Sequence, residues 1–240
     1  MSGNTDPVPK ANYKLSPVRV IDEAIKVTAE NFFSFSPAIL ITLFIQLAVF
    51  YIALELQIPD LATSLSVLKN PLALPDNLAR AFIIANLSCE VIIAPIYAGT
   101  CLMALRQSSG LKTSPYFFFE GLNFTVTTIF ITLVNAAIKS TLGQLSPLLS
   151  AYYSVTSSHS VLLACDKKMS VATAIMVSFK ATNLRIFPII SLYALCLVLF
   201  ILALAFFGLG LFLVLPFFLH VKGILYRDMF SIMKGKDIAR

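Results

Sequence analysis

A chain of 240 residues with 58% hydrophobic and 12% charged residues carries about half the charged share of an ordinary soluble domain. It has too little polar surface to cover a single soluble core of this length, so composition excludes a water-exposed globule and points to a bilayer as solvent. The formal charge of +6 comes from Lys and Arg beside apolar runs, where they orient helices and meet anionic headgroups; this placement argues against nucleic acid as a partner.

In chain order, residues 1–36 read as a polar tail and an amphipathic helix. Ser16-Pro17 supplies an N-cap serine and a first-turn proline. Beyond them Val18, Ile21, Ile25, Thr28 and Phe32 share one helical face, and Arg19, Glu23, Lys26 and Glu30 the other. The first long apolar run begins only near Pro37, after a stretch bearing both acids and bases, which reads as a retained anchor and not a cleaved signal. Six runs of spanning length follow, near residues 37–58, 81–105, 121–138, 145–165, 186–207 and 209–226, and residues 227–240 form a closing tail. The last two runs are split at Gly208-Leu209-Gly210, because an unbroken helix from Ile186 to Tyr226 would overshoot the hydrocarbon; a tight hairpin is expected there. Between the first two runs, Pro59, Pro71 and Pro75 with Asp60 and Asp76 mark a short polar loop, with one helical turn near residues 61–68.

The expected fold class is therefore all-α: one membrane domain covering residues 1–240, a bundle of six transmembrane helices with interfacial amphipathic helices. Lys10, Lys14, Arg19 and Lys26 precede the first run, Arg106 and Lys112 follow the second, Lys167, Lys168, Lys180 and Arg185 follow the fourth, and Lys222, Arg227, Lys234, Lys236 and Arg240 close the chain. Only Lys69, Arg80 and Lys139 fall on the opposite side, which places both termini in the cytoplasm. Ser114-Pro115 and Ser170 open two further amphipathic stretches, so three times such a helix leads into a pair of spans. AIKVTAEN in the first unit matches AIMVSFKATN in the third, and Pro95 precedes Arg106 by the interval at which Pro216 precedes Arg227. A repeated unit is the expectation; the middle copy fits it poorly.

The fourth run, LSPLLSAYYSVTSSHSVLLAC, lacks charge but holds six serines, a threonine, two tyrosines and a histidine. Ser146, Ser150, Ser154 and Ser157 recur at helical spacing, so they form a polar packing face whose hydroxyls bond to helix carbonyls or neighbours. A water-lined path has the same sequence signature. The passage that continues from it, HSVLLACDKKMSVATAIMVSFKATNLRIFPII, resembles the YciC-like proteins, a family of uncharacterised bacterial inner-membrane proteins. Their relatives include the membrane domain of some glycerophosphodiester phosphodiesterases. The resemblance lies in the polar turn Asp166-Lys167-Lys168, the amphipathic helix after it and the approach Asn183-Leu184-Arg185-Ile186-Phe187, and is firmest over residues 145–195. It implies a helical bundle of the bacterial inner membrane and no settled activity.

Chemistry-bearing residues are few. Glu90, near the middle of the second run beside Asn86 and Cys89, must face the bundle, be protonated or meet a cation. A proton or cation site and a hydrogen-bonded structural carboxyl both fit it. His159 and His220 are further candidates for a proton or cation site, though a lone histidine is more often a packing residue. Glu55 should reach the interface. Gln46, Asn135 and Gln144 read as interhelical hydrogen-bonding residues, and Lys139 and Lys222 as snorkelling lysines. Cys89, Cys101, Cys165 and Cys196 form no CxxC or ligand spacing and read as small buried hydrophobes. No HExxH, GxSxG, Walker or GxGxxG pattern occurs, and no aspartates are paired within the runs, so neither enzyme, metal nor cofactor is expected. The function expected is that of a non-enzymatic membrane protein in envelope or lipid homeostasis, a scaffold whose amphipathic helices lie on the inner leaflet. Its partners would be lipids, membrane proteins or further copies of itself. A small transporter or channel using Glu90 is the alternative, and a polar cavity reaching Glu90 would favour it.

Overall fold

A computed structural model describes residues 15–58, 76–205, 208 and 210–230; the loop turn expected at residues 61–68 lies outside them. The described residues are helical and contain no strand. In order they form α1 (Pro17–Glu55), α2 (Asp76–Ser108), a 3-10 helix (Pro115–Phe124) continuing into α3 (Thr125–Leu145), α4 (Pro147–Thr156), α5 (Ser160–Asp166), α6 (Val171–Asn183), α7 (Ile186–Ala205) and α8 (Leu211–Phe230). Four stretches are long and apolar enough to cross a membrane: α1, α2, the 3-10 helix with α3, and α7. Phe33 and Phe44 on α1, Phe130 on α3 and Phe187, Leu197 and Ile201 on α7 are all exposed. A surface so rich in large apolar side chains suits a protein embedded in a membrane.

The amphipathic segment and the first run, expected as separate elements, form a single helix of 39 residues. At 1.5 Å per residue this is about 58 Å, roughly twice the hydrocarbon thickness. The amphipathic stretch and the apolar run thus share one helix axis. The buried face is also rotated from the expected one. Val20, Ala24 and Val27 are buried, whereas Val18 is 67% and Ile25 55% exposed. The reason is polar: Glu23 on the same side pairs with Arg227 of α8, and Thr28 bonds to His220, which turns that side inward.

α2 is the central element, packing against α1, the 3-10 helix, α3 and α8. Its approach to the 3-10 helix depends on two glycines that meet: a Cβ on Gly99 would lie 1.7 Å from the Phe118 carbonyl oxygen, and one on Gly121 2.0 Å from that of Pro95. Phe35, Met103, Phe118, Ile131, Leu162 and Tyr226 are fully buried around this crossing. All four cysteines are free and buried, as expected of small hydrophobes.

Two boundaries position the cavity. The chain reverses between α7 and α8 where the hairpin was expected, with Gly208 in the left-handed region at φ +78. α8 is apolar over its first half and carries Lys222, Arg227 and Asp228 in its second. The fourth run is not the continuous span expected: α4 ends at Thr156 and α5 starts at Ser160. Side-chain hydroxyls compete with the helix here, Thr156 and Ser157 both donating to the Tyr153 carbonyl, and the Ser160 amide turns back to Ser157 at 3.0 Å. The three proposed units differ accordingly. The amphipathic stretch is fused to its span in the first, is a 3-10 helix in the second and is the separate helix α6 in the third.

Candidate functional site

Between α1, α2, α3, α7, α8 and the break in the fourth run lies a cavity of about 560 Å³. Its position follows from the local sequence. A broken helix exposes backbone polar groups that hydrocarbon cannot satisfy, so such a break needs a side-chain partner. Ser178 of α6 supplies one from behind: its hydroxyl donates to the Thr156 carbonyl at 2.7 Å and accepts from the His159 amide at 3.2 Å. With the backbone held in this way, Ser157, Ser158 and Ser160 reach the cavity wall.

Two polar poles face each other across the cavity. At one, Glu90 of α2 pairs with Lys139 of α3 at 3.5 Å and accepts from Asn86 at 3.3 Å. At the other, the Lys222 ammonium donates to the Tyr97 hydroxyl at 2.7 Å and sits 4.9 Å from the centre of its ring. Glu90 and Tyr97 are seven residues apart on α2, which places the poles about 10 Å apart along its axis. Tyr193 of α7 donates to Ser158 at 2.9 Å beside the second pole. Asn135 joins α3 to α4 and α5, accepting from Tyr153 at 2.7 Å and donating to Ser160 at 3.2 Å. Ile93, Phe200, Leu215 and Phe218 complete the wall with apolar surface.

The residues expected to carry chemistry are separated by this geometry. Glu90 lines the cavity; His159 and His220 do not. His220 is buried and fully bonded, with Nε2 donating to the Gln107 side-chain oxygen at 2.8 Å and Nδ1 accepting from Thr28 at 2.9 Å. Neither of its nitrogens is left for a ligand. His159 is buried beside Tyr226, and both its ring nitrogens lack a partner among the described residues. No three His, Cys, Asp or Glu side chains come together among the described residues.

Of the four serines expected to bond to helix carbonyls or neighbours, Ser150, Ser154 and Ser157 donate to backbone carbonyls. Ser150 donates across to the Lys139 carbonyl at 3.1 Å, Ser157 is buried, Ser154 is exposed but lines the cavity, and Ser146 caps α4 without a side-chain bond. Asn135 has the interhelical role expected of it, while Gln144 is exposed.

Neither lysine read as snorkelling does so. Lys139 turns to Glu90, and Lys222 is only 4% exposed. Lys222 lies eight residues before the end of α8, about 12 Å along the axis, because the helix continues past Tyr226, where the expected run ended. Ser178 left no signal in the sequence, being one serine among many.

Glu90→Gln is expected to leave the fold intact and shift stability by less than about 1 kcal/mol. Both side chains of the pair are about one third exposed, 32% and 37%, and Lys139, near the end of α3, can turn to the headgroups once unpaired. Thermal unfolding in detergent reads this out, and a variant that fails to accumulate would refute it. No family model, curated protein or solved structure matches the chain, so the reading of this site rests on its own residues.

Proposed function

We propose that this chain is a non-enzymatic, six-pass protein of the bacterial inner membrane, with both termini cytoplasmic, that serves envelope or lipid homeostasis by holding a ligand between its helices. The cavity with charged groups at both ends carries this reading. It lies within an otherwise apolar protein and has a volume typical of small-ligand sites. The distribution of Lys and Arg supports the orientation. Six passes follow if α4 with α5 crosses as a broken segment and α8 crosses with its charges at one end; the YciC-like resemblance of residues 145–195 supports the bacterial setting.

A broken segment beside a ligand cavity is a recurring arrangement in transporters, and Glu90 in the wall favours transport as a second reading. A scaffold without a ligand is what would remain if the cavity held nothing. The test is to purify the protein in mild detergent, extract it and identify co-purifying small molecules by mass spectrometry, alongside a thermal-shift screen of membrane lipids and polar metabolites. One chemical class that co-purifies and raises the melting temperature is the expected result. Extraction of nothing, with no shift from any compound, would overturn the reading.

A further inference from the structure

We propose that the Lys222 pole of the cavity binds the anionic headgroup of a lipid, whose chain lies against Leu215, Phe218 and Phe200. This rests on the reading of the cavity as a ligand site and names the class of ligand.

Charge carries the first step. Among the described residues no carboxylate lies within ion-pair distance of Lys222; the other ion pairs belong to Arg19, Lys26, Lys139, Lys167 and Arg227. Glu90 and Lys139 in the same wall neutralise each other, so the cavity carries one uncompensated positive charge at the far end from that pair. An ammonium only 4% exposed between apolar helices is unfavourable unless an anion meets it. Tyr97 stabilises it by a hydrogen bond and by the ring face but supplies no negative charge.

The remaining wall decides what kind of anion. Beside Lys222, Tyr193 donates its hydroxyl proton to Ser158, which orients Ser158 and leaves the Ser158 O–H to donate to a headgroup oxygen. A lysine ammonium acts towards a phosphate as a point charge and needs no fork geometry. On the side formed by α7 and α8 the wall is apolar, with Leu215, Phe218 and Phe200, the two phenylalanines in edge contact at 5.7 Å. A free inorganic ion would leave that surface unused, whereas a lipid covers it with its chain.

The test uses the full chain in zwitterionic nanodiscs, titrated with phosphatidylglycerol, phosphatidylcholine or inorganic phosphate and read by native mass spectrometry. Phosphatidylglycerol is expected to be retained as a one-lipid adduct, at least tenfold more tightly than phosphatidylcholine. Lys222→Met should reduce that retention at least tenfold, Lys222→Arg should preserve most of it, and Lys180→Met, at an exposed position on α6, should leave it unchanged. Tyr193→Phe is a second variant that keeps the charge, and a threefold or larger weakening is expected from it. Lys222→Met removes an unpaired buried charge, so its melting temperature should equal or exceed that of the unaltered protein.

Equal retention of both lipids, or retention indifferent to Lys222→Met, would overturn this inference while leaving the cavity a ligand site. Phosphate bound as tightly as the lipid would overturn the lipid assignment. Binding of no compound at all would overturn the ligand reading on which it rests.

Discussion

Arg227→Met is expected to destabilise the protein by about 3–5 kcal/mol, the usual consequence of removing one partner of a buried ion pair. The guanidinium is 4% exposed and donates to both carboxylate oxygens of Glu23, at 2.8 and 2.9 Å, and to Asp228 at 3.0 Å. It also donates to the Ser108 carbonyl, one of the orphan acceptors at the end of α2. One side chain thus joins α1, α2 and α8. Methionine keeps much of the volume but takes from Glu23, 20% exposed, the bidentate guanidinium that it accepts from. Asp228 retains Arg19 as a second partner, so the loss centres on Glu23 and the Ser108 carbonyl. Equilibrium unfolding in mixed micelles measures the change. Glu23→Gln introduced into Arg227→Met should restore part of the loss, because the carboxylate that has lost its guanidinium is then neutral; a deficit below about 1 kcal/mol in the single variant would refute the argument.

Gly99→Ala is expected to be still more damaging to accumulation of the folded protein. The added methyl would sit 1.7 Å from the Phe118 carbonyl oxygen and 2.6 Å from its carbonyl carbon. Both are backbone atoms, so no change of rotamer relieves the overlap. α2 and the 3-10 helix must separate, which opens the packing around the fully buried Phe118. The expected loss exceeds about 3 kcal/mol, the upper end of ordinary overpacking. Gly143→Ala serves as the contrast. There the nearest atoms to a new methyl belong to Ser150 at 3.8 Å, and alanine is favoured over glycine by up to about 1 kcal/mol inside a helix. Comparable accumulation of the two variants, judged by size-exclusion profile and melting temperature, would show that the crossing is looser than described.

Both effects arise from contacts that a linear reading does not contain. Glu23 and Arg227 are 204 residues apart and Lys222 and Tyr97 are 125 apart. Helical periodicity put Glu23 on the polar side of its helix, but could not show that an arginine from the other end of the chain meets that side and turns it inward. The same limit explains the fourth run. Its hydroxyl-rich composition was legible, and a packing face and a polar path were both consistent with it. At Ser157–Ser158–His159 the segment breaks, held by Ser178 on one side and lining the cavity on the other. Glu90 stood out in the sequence as a carboxylate within an apolar run, yet its pairing with Lys139 depends on how α2 and α3 pack.

The sequence by itself determined the helical class of this protein, the presence of helices long and apolar enough to cross a membrane, the reversal at Gly208 and the buried character of its four cysteines. These depend on hydrophobicity, helix length and local conformational freedom, which are properties of contiguous residues. Tertiary structure alone decided that Lys222 turns inward, that Glu90 is paired, that α1 buries Val20, Ala24 and Val27, and that a cavity opens beside the broken fourth segment. In an apolar surrounding a polar side chain goes to whichever partner the packing brings within reach, and helices distant in the sequence supply that partner.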